Sequence, residues 1–160
     1  MVSDTLQRRL ERTRTLAVVG IGDELIPSDR MGMVAAREIE RQHLPGVQVF
    51  FAGTVPENIT GPLRKFRPDH VLFLDAAEME ERPGTIAVIA PGLVRARLIS
   101  THTLPLSVVM EYIGKETGAG VTLLGIQPDI SDPGKDLSEE DRAYLDRNLR
   151  QVSAILRDRN

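Results

Sequence analysis

Two acidic residues and one histidine have the chemical types and the positions to bind one metal ion together. Asp29 follows the first apolar segment of the chain, Asp75 ends the apolar run VLFL, and His102 comes shortly before a predicted helix. Two carboxylates and an imidazole suit a borderline divalent ion such as zinc or nickel better than magnesium, which prefers oxygen ligands. Three protein ligands would also leave coordination positions open for a substrate group or water.

Each of these residues also has a purely structural interpretation. Asp29 stands where it could cap the first long helix, and His102 could be a hydrogen-bonded surface histidine. Asp75 is different, because a carboxylate that follows an apolar run is costly to bury unless it is paired. His43 and His70 have no acidic neighbours at strand ends near this site, and we interpret both as structural.

The elements that must position these residues alternate between strands and helices along the chain. Ser3 can cap a short first helix whose Leu6 and Leu10 lie on one face. Helical spacing of apolar residues predicts further helices over Arg30–Gln42, up to Pro68, over Leu106–Thr117 and after Ser138, where Asp141 completes a capping box. Short apolar runs rich in β-branched residues predict five strands. These strands are Thr15–Gly22, Val47–Gly53, His70–Ala76, Gly84–Ala90 and Val121–Ile126.

This order of elements predicts an α/β fold, a three-layer α/β/α sandwich with helices on both faces of a mostly parallel, twisted five-stranded sheet. The link between Ala77 and Pro83 is too short for a crossover helix, so the fourth strand should be antiparallel. In a flavodoxin-like order the first and third strands are neighbours, and ligands bind beyond their carboxyl ends.

The same topology brings the three candidate ligands to one edge of the sheet. Asp29 and Asp75 follow the first and third strands, and the segment from Pro91 to Leu104 must return the chain from the opposite edge. His102 should therefore lie beside both acids. Two carboxylates ~4 Å apart repel by about 4 kcal/mol at an effective dielectric of 20, which a cation would relieve.

Composition and charge exclude several classes of function. The chain has 160 residues, which we interpret as a single domain over residues 1–160, and its net charge of -3 gives no basic face for nucleic acid. It has no cysteine, so disulfides, thiolate metal sites and a cysteine nucleophile are excluded. No apolar run approaches the ~20 residues of a membrane span, and the first residues do not resemble a signal peptide. We expect a cytoplasmic protein without membrane insertion.

Several segments together resemble the hydrogenase maturation endopeptidase family, whose members process the large subunit of nickel-iron hydrogenases. Each motif alone is modest, but their order and spacing are specific. The second loop and the end of the fifth strand look closest to enzymes of the formate-hydrogenlyase-type branch. The segments are GIGDELIPSDRMG (20–32), AGTVPEN (52–58), LFLDAAEM (72–79), THTLPL (101–106) and GIQPD (125–129).

The resemblance implies a function for the three candidate ligands. The family's metal site falls on Asp29, Asp75 and His102, and it would recognise nickel already placed in the large-subunit precursor, although zinc or another divalent ion could occupy the same site. The C-terminal tail of that precursor would then be cut. The matching loops make Gly53, Thr54 and Gln127 expected substrate contacts.

One position departs from the family pattern. Many members have Asp-Gly-Gly-Thr in the second loop, whereas this chain has Phe51-Ala52-Gly53-Thr54, so the resemblance carries over no acid at this place. We expect the neighbouring strand to pack around the Phe51 ring. No serine, cysteine or lysine forms a convincing nucleophile constellation, so the catalytic residue stays unassigned and we expect water to attack near the metal.

Two other classes of function fit the same fold. One is a different metal-dependent hydrolase, such as an aminopeptidase, which would usually need two metals and more ligands than this sequence offers. The other is a non-enzymatic module that binds a small ligand at the strand ends. Tight binding of a divalent metal by the three candidate ligands would separate the binding module from the family interpretation.

Overall fold

The computed structural model describes residues 2–99 and 104–159, and its centre is a five-stranded sheet. The strands begin and end within two residues of the predicted positions, and the second and third match them at both ends. They are β1 (Leu16–Ile21), β2 (Val47–Gly53), β3 (His70–Ala76), β4 (Ile86–Ile89) and β5 (Gly120–Ile126).

The helices also follow the predicted order, with one short addition after β4. Two 3₁₀ turns, over Pro56–Ile59 and Pro91–Leu93, precede the third and fourth helices. The α-helices are α1 (Val2–Arg9), α2 (Met31–Arg41), α3 (Thr60–Phe66), α4 (Val94–Arg97), α5 (Leu106–Thr117) and α6 (Glu139–Arg157).

The strand order is β2-β1-β3-β5-β4, which places β1 beside β3 as predicted. It departs from the flavodoxin-like order in that β5, not β4, lies next to β3. The pairs β1–β2, β1–β3 and β3–β5 are parallel, and β4 runs antiparallel to β5. Successive residues of a strand point to opposite faces, and two apolar clusters fill the space on either side of this sheet. α1, α2 and α6 cover one face, and α3, α4 and α5 cover the other.

The longest helix shows how local sequence fixes an element's start. The Ser138 hydroxyl accepts a hydrogen bond from the backbone N–H of Asp141 at 3.1 Å, which caps α6 as predicted. An apolar stripe of Leu145, Leu149, Val152 and Leu156 is buried against the sheet. None of the helices in the described part of the chain combines the length and apolar character that crossing a membrane requires.

Candidate active site at the carboxyl edge of the sheet

The carboxyl ends of β1 and β3 lie side by side, and α2 begins directly over them. Gly32, in the first turn of α2, has no room for a side chain, because a Cβ there would overlap the carbonyl oxygens of Ile21 and Leu74. The winding direction of the sheet reverses between these two strands, which is where ligands bind in such folds. The residues just before α2 and just after Leu74 therefore share one edge.

Asp29 belongs to the loop that connects β1 to α2, and its side chain is 6% exposed. Its Oδ2 accepts a hydrogen bond from the backbone N–H of Asp23 at 2.9 Å. Gly22 has a φ of +136°, and a Cβ there would overlap the Asp29 carbonyl oxygen, so only glycine lets the two parts of the loop meet. The N-cap position of α2 is occupied by Arg30, not Asp29, so the capping interpretation was wrong.

Asp75 lies near the end of β3 and is fully buried. Its Oδ1 accepts a hydrogen bond from the backbone N–H of Ala76 at 2.8 Å. Phe73 and Ala77, two residues to either side, belong to the apolar cluster beneath α3, α4 and α5. Because side chains alternate along a strand, Asp75 points to that same face.

His102, the third candidate ligand, lies outside the described residues. The chain that leads to it returns to the carboxyl edge, as the topology predicted. Leu98 forms an antiparallel bridge with Ala77, and the Glu78 N–H donates to the carbonyl of Arg97 at 2.8 Å. Within residues 2–99 and 104–159, no three acidic or histidine side chains are grouped closely enough to hold a metal ion.

Gly53 ends β2 and Thr54 begins the loop that follows, beside the loop that carries Asp29. The Gly22 N–H donates a hydrogen bond to the Gly53 carbonyl at 2.8 Å, which ties the two loops together. Gly53 has a φ of +59°, and apart from its chain neighbours no atom of residues 2–99 and 104–159 lies within 4 Å of where its Cβ would be. The space above Gly53 is thus open, as a substrate contact would require.

Gln127 is nearly inaccessible and its side chain is bonded within the protein. Its Oε1 accepts a hydrogen bond from the Met79 N–H at 2.6 Å, and its Nε2 donates to Glu78 Oε2 at 3.0 Å and to the Pro128 carbonyl at 3.1 Å. The side chain therefore joins the end of β5 to the turn that follows β3. This placement holds the backbone beyond Asp75 in position.

Phe51 is not packed in the way we expected. Its side chain is 37% exposed, and the guanidinium carbon of Arg37, on α2, lies 5.7 Å from the ring centroid. β2 is an edge strand of the sheet, so no further strand covers it. The expectation of a tightly packed ring was wrong because an apolar run does not reveal which strand forms the edge.

Two exposed apolar residues in loops at the carboxyl edge were not predicted from the sequence. Leu25 is 88% exposed in the loop after β1, where its N–H bonds Asp23 Oδ1 at 2.9 Å. Ile130, in the loop after β5, is 53% exposed. Neither residue belongs to a periodic pattern, so the only available signal was a large apolar residue within a polar loop. Exposed apolar residues of this kind are typical of a protein-binding surface.

Comparison with known proteins identifies the family. The family model described as hydrogenase maturation protease (HycI) matches residues 33–155, which is more than half of the chain. The chain belongs to the hydrogenase maturation protease family. It is therefore a peptidase, as predicted. A Methanocaldococcus jannaschii protein, named only provisionally as a hydrogenase maturation protease, is 32% identical over 139 residues, which cover 82% of each chain.

Two further relatives support the predicted branch and the fold. The hydrogenase 3 maturation protease of Escherichia coli K12 is 31% identical over 111 residues, covering 69% of this chain and 70% of that protein. The crystal structure of the nickel-iron hydrogenase maturation protease HycI from Thermococcus kodakarensis superposes with a TM-score of 0.81 at 27% identity, covering 96% of this chain and 99% of that one. The shared HycI name is consistent with the formate-hydrogenlyase-type branch.

Proposed function

We propose that this peptidase removes the C-terminal extension of a nickel-iron hydrogenase large-subunit precursor, and that it does so after nickel has been inserted. The nickel is carried by the substrate and recognised by Asp29, Asp75 and His102. The observation that carries this proposal is the burial of the two carboxylates at the carboxyl edge of the sheet, in a member of this family. The cytoplasm, expected from the sequence, is the proposed location of the reaction.

The path of the chain supports His102 as the third ligand. The Ile99 N–H donates to the carbonyl of Ala76 at 3.5 Å, so the last described residue before the gap lies next to the strand end that carries Asp75. Two residues of the sequence lie between Ile99 and His102, and the three peptide steps that join them span at most ~11 Å. That reach is short enough to favour a shared site.

The chemistry of the three residues fits a nickel ion held by another protein. Carboxylates and imidazole bind borderline divalent ions, and three ligands leave other positions for the ligands that the precursor supplies. The two carboxylates also repel each other less when a cation is bound. Zinc or a similar ion would fit the same donors, which makes it a convenient probe.

Recognition of the nickel would place the scissile bond rather than supply a nucleophile. The chain has no cysteine, and we assign no side chain as a covalent nucleophile. Water would attack the peptide bond, with Gly53 and Thr54 as proposed substrate contacts. We propose that Gln127 acts by positioning, because its side chain bonds Met79 and Glu78 inside the protein. Positioning of this kind can supply roughly 7–11 kcal/mol of a barrier.

The test compares three substrates by mass spectrometry: nickel-loaded precursor, metal-free precursor and the isolated tail peptide. We expect cleavage of the nickel-loaded precursor alone. His102→Ala should abolish that cleavage. His43→Asn should leave it unchanged, because this exposed histidine follows the C-terminal end of α2, whereas the candidate site lies at the N-terminal end. Equal cleavage of loaded and metal-free precursor would refute the nickel checkpoint and favour a metal that resides in the enzyme.

A further inference from the structure

A groove between α3 and α5 opens at the same edge as the candidate site. Its volume is about 410 Å³. Both helices begin at the carboxyl edge and run toward the other edge, because each is followed by a strand of the parallel set. We call this feature the helix groove, and its walls are formed by Glu57, Thr60 and Arg64 on one side and Leu104, Val108, Val109 and Tyr112 on the other.

α5 has a second apolar stripe that its own fold does not bury. The first stripe, which includes Leu106 and Ile113, packs into the core. Leu104, Val108 and Tyr112 are 38%, 40% and 46% exposed. These three residues are spaced four apart. Val108 and Tyr112 therefore lie in a line along one side of α5, and Leu104 continues that line just before the helix begins. A second apolar line beside a groove is typical of a surface that binds an apolar partner.

The groove has the length and the polarity to hold a short extended peptide. The helical part of the groove wall, from Leu106 to Tyr112, rises about 9 Å. Leu104, just before the helix, extends this length, so the groove accommodates three to four extended residues. Glu57 lies at the end nearest the candidate site, just after β2. At the far end Arg64 donates a hydrogen bond to the Tyr112 hydroxyl at 2.8 Å and pairs with Glu116 at 3.2 Å.

The groove lies on the face of the sheet toward which Asp75 points. The Asp75 side chain faces the layer that contains α3 and α5, and Leu104 is the first described residue after the segment that contains His102. A peptide that leaves the candidate site on this side therefore meets Leu104 first. The opposite face is covered by α2 and α6.

We propose that the helix groove binds the first three to four residues of the precursor's tail beyond the scissile bond, in extended form and with mainly apolar side chains. This inference rests on the proposed function. Hydrolysis adds water across the peptide C–N bond, leaving a carboxylate on the large subunit and an ammonium group on the tail. Glu57 is placed to attract that new ammonium. Arg64, whose charge is shared with Glu116, can donate its remaining N–H groups to carbonyl oxygens further along. The charges of the groove thus match the direction of the tail.

The test places an acid on the apolar stripe and measures whether its effect depends on the tail. Val108→Asp changes the middle of the groove, and its position in the first turn of α5 tolerates an acid. Leu93→Asp is the matched control, because Leu93 is 46% exposed and directly precedes α4, outside the groove. Each variant is given nickel-loaded precursor with its full tail and the same precursor shortened to one residue after the cut. Thermal melts check folding.

With the full tail, we expect Val108→Asp to raise KM about ten- to a hundredfold and Leu93→Asp to leave it unchanged. With the shortened tail, both variants should match the wild type. An equal defect on both substrates, or none on either, would overturn the inference. Tyr112→Ala is a second variant, which should raise KM only for tails of at least three residues.

Two further outcomes distinguish this inference from the proposed function and from a dimer interface. If the wild-type enzyme cuts neither the full-length nor the shortened precursor, the proposed function is wrong and the inference that rests on it is overturned with it. If Val108→Asp instead dissociates a dimer of this protein in sedimentation experiments, without a tail-dependent change in KM, the groove is an interface between copies and the inference is wrong.

Discussion

Polar side chains have different surroundings at the amino and the carboxyl edge of the sheet. At the amino edge, His70 bonds Thr122 at 2.8 Å, and Asp69 accepts hydrogen bonds from the backbone N–H groups of Arg14 and Thr15, both at 2.9 Å. These contacts fix the segments that lead into β1 and β3. At the carboxyl edge, two buried carboxylates are surrounded by loops whose apolar side chains face solvent.

The difference indicates which edge stabilises the fold and which edge binds a partner. Polar groups that bond the backbone where strands begin contribute to stability. Exposed apolar residues such as Leu25 and Ile130 do not, yet they suit a surface that another protein covers. We therefore expect substitutions at the carboxyl edge to change processing more than stability, and substitutions at the amino edge to do the reverse.

Asp75→Asn is expected to have the largest effect on processing. The amide keeps an oxygen for the Ala76 N–H but loses the charge that a metal requires, so cleavage of nickel-loaded precursor should fall by more than about a hundredfold. Burial of a charge is costly, so the melting temperature should stay within about 3 °C of the wild type or rise. Asp69→Ala is the comparison at the amino edge, where we expect lower stability and unchanged cleavage.

Full processing by the Asp75→Asn variant would show that this carboxylate does not take part in the site. A large loss of stability in the same variant would show that the carboxyl edge also supports the fold, and the contrast between the two edges would fail.

Gly22→Ala should disturb both properties, because a Cβ at this position overlaps the carbonyl of Asp29. The positive φ adds strain, so we expect a loss of about 1–3 kcal/mol in the free energy of unfolding. Displacement of Asp29 should lower cleavage about tenfold to a hundredfold. Gly92→Ala is the control, since its Cβ would meet no atom within 4 Å. Unchanged cleavage by Gly22→Ala would mean that Asp29 need not be held where it is.

The amino edge makes a prediction about pH. Burial, and to a smaller extent the charge of Arg9, lowers the pKa of His70 from its ordinary 6.5 to about 4. The folded protein therefore disfavours the protonated ring, so stability is complete above pH 6.5 and falls as the pH drops toward 4. The linked change is about 3 kcal/mol.

His70→Gln should remove most of that pH dependence, because glutamine does not titrate and can still bond Thr122. Urea unfolding at pH 7.0, 5.5 and 4.5 would measure it. The neighbouring Asp69 does not interfere above pH 4, because backbone hydrogen bonds from Thr15 and Arg14 hold the pKa of its carboxyl below 3.8. A variant whose unfolding free energy still falls as steeply as the wild type's between pH 6.5 and 4 would place the titrating group elsewhere.

Sequence patterns predicted the sheet because its strands are apolar on both faces. The ends of β2 and β3 matched the prediction, since each apolar run is bounded by glycine or proline or by polar residues. The position of Asp75 followed from the end of its strand and from parallel topology. The role of Asp29 could not be read in the same way, because a cap and a loop bond need the same residue type at almost the same place.

Side-chain exposure was harder to predict than strand position. Periodicity does not show which strand lies at the edge, so the exposure of Phe51 was missed. In α5 the buried line through Val109 and the exposed line through Val108 are adjacent in sequence, so the pattern shows one broad apolar face rather than two separate lines. Only packing against α3 separates the two lines. His102 stays a prediction.

The smallest effect is expected for a substitution near the carboxyl end of β2, the outermost strand of the sheet. Phe51→Asp restores the acid that many family members have at this position. The ring is 37% exposed and lies near Arg37, so its replacement loses a cation–π contact of about 0.5–1 kcal/mol and gains an exposed ion pair of similar size. The unfolding free energy should therefore change by less than about 1 kcal/mol.

Processing by Phe51→Asp should not improve, because position 51 faces the other side of the sheet from Asp75. Val49, two residues earlier on β2, packs against the cluster beneath α2, whereas Phe73 and Ala77 place Asp75 over the cluster beneath α5. Phe51→Asn is the control, since it removes the ring without adding a charge. Cleavage rates of both variants on nickel-loaded precursor decide the point: a gain in Phe51→Asp alone would show that a carboxylate here reaches the substrate despite facing α2.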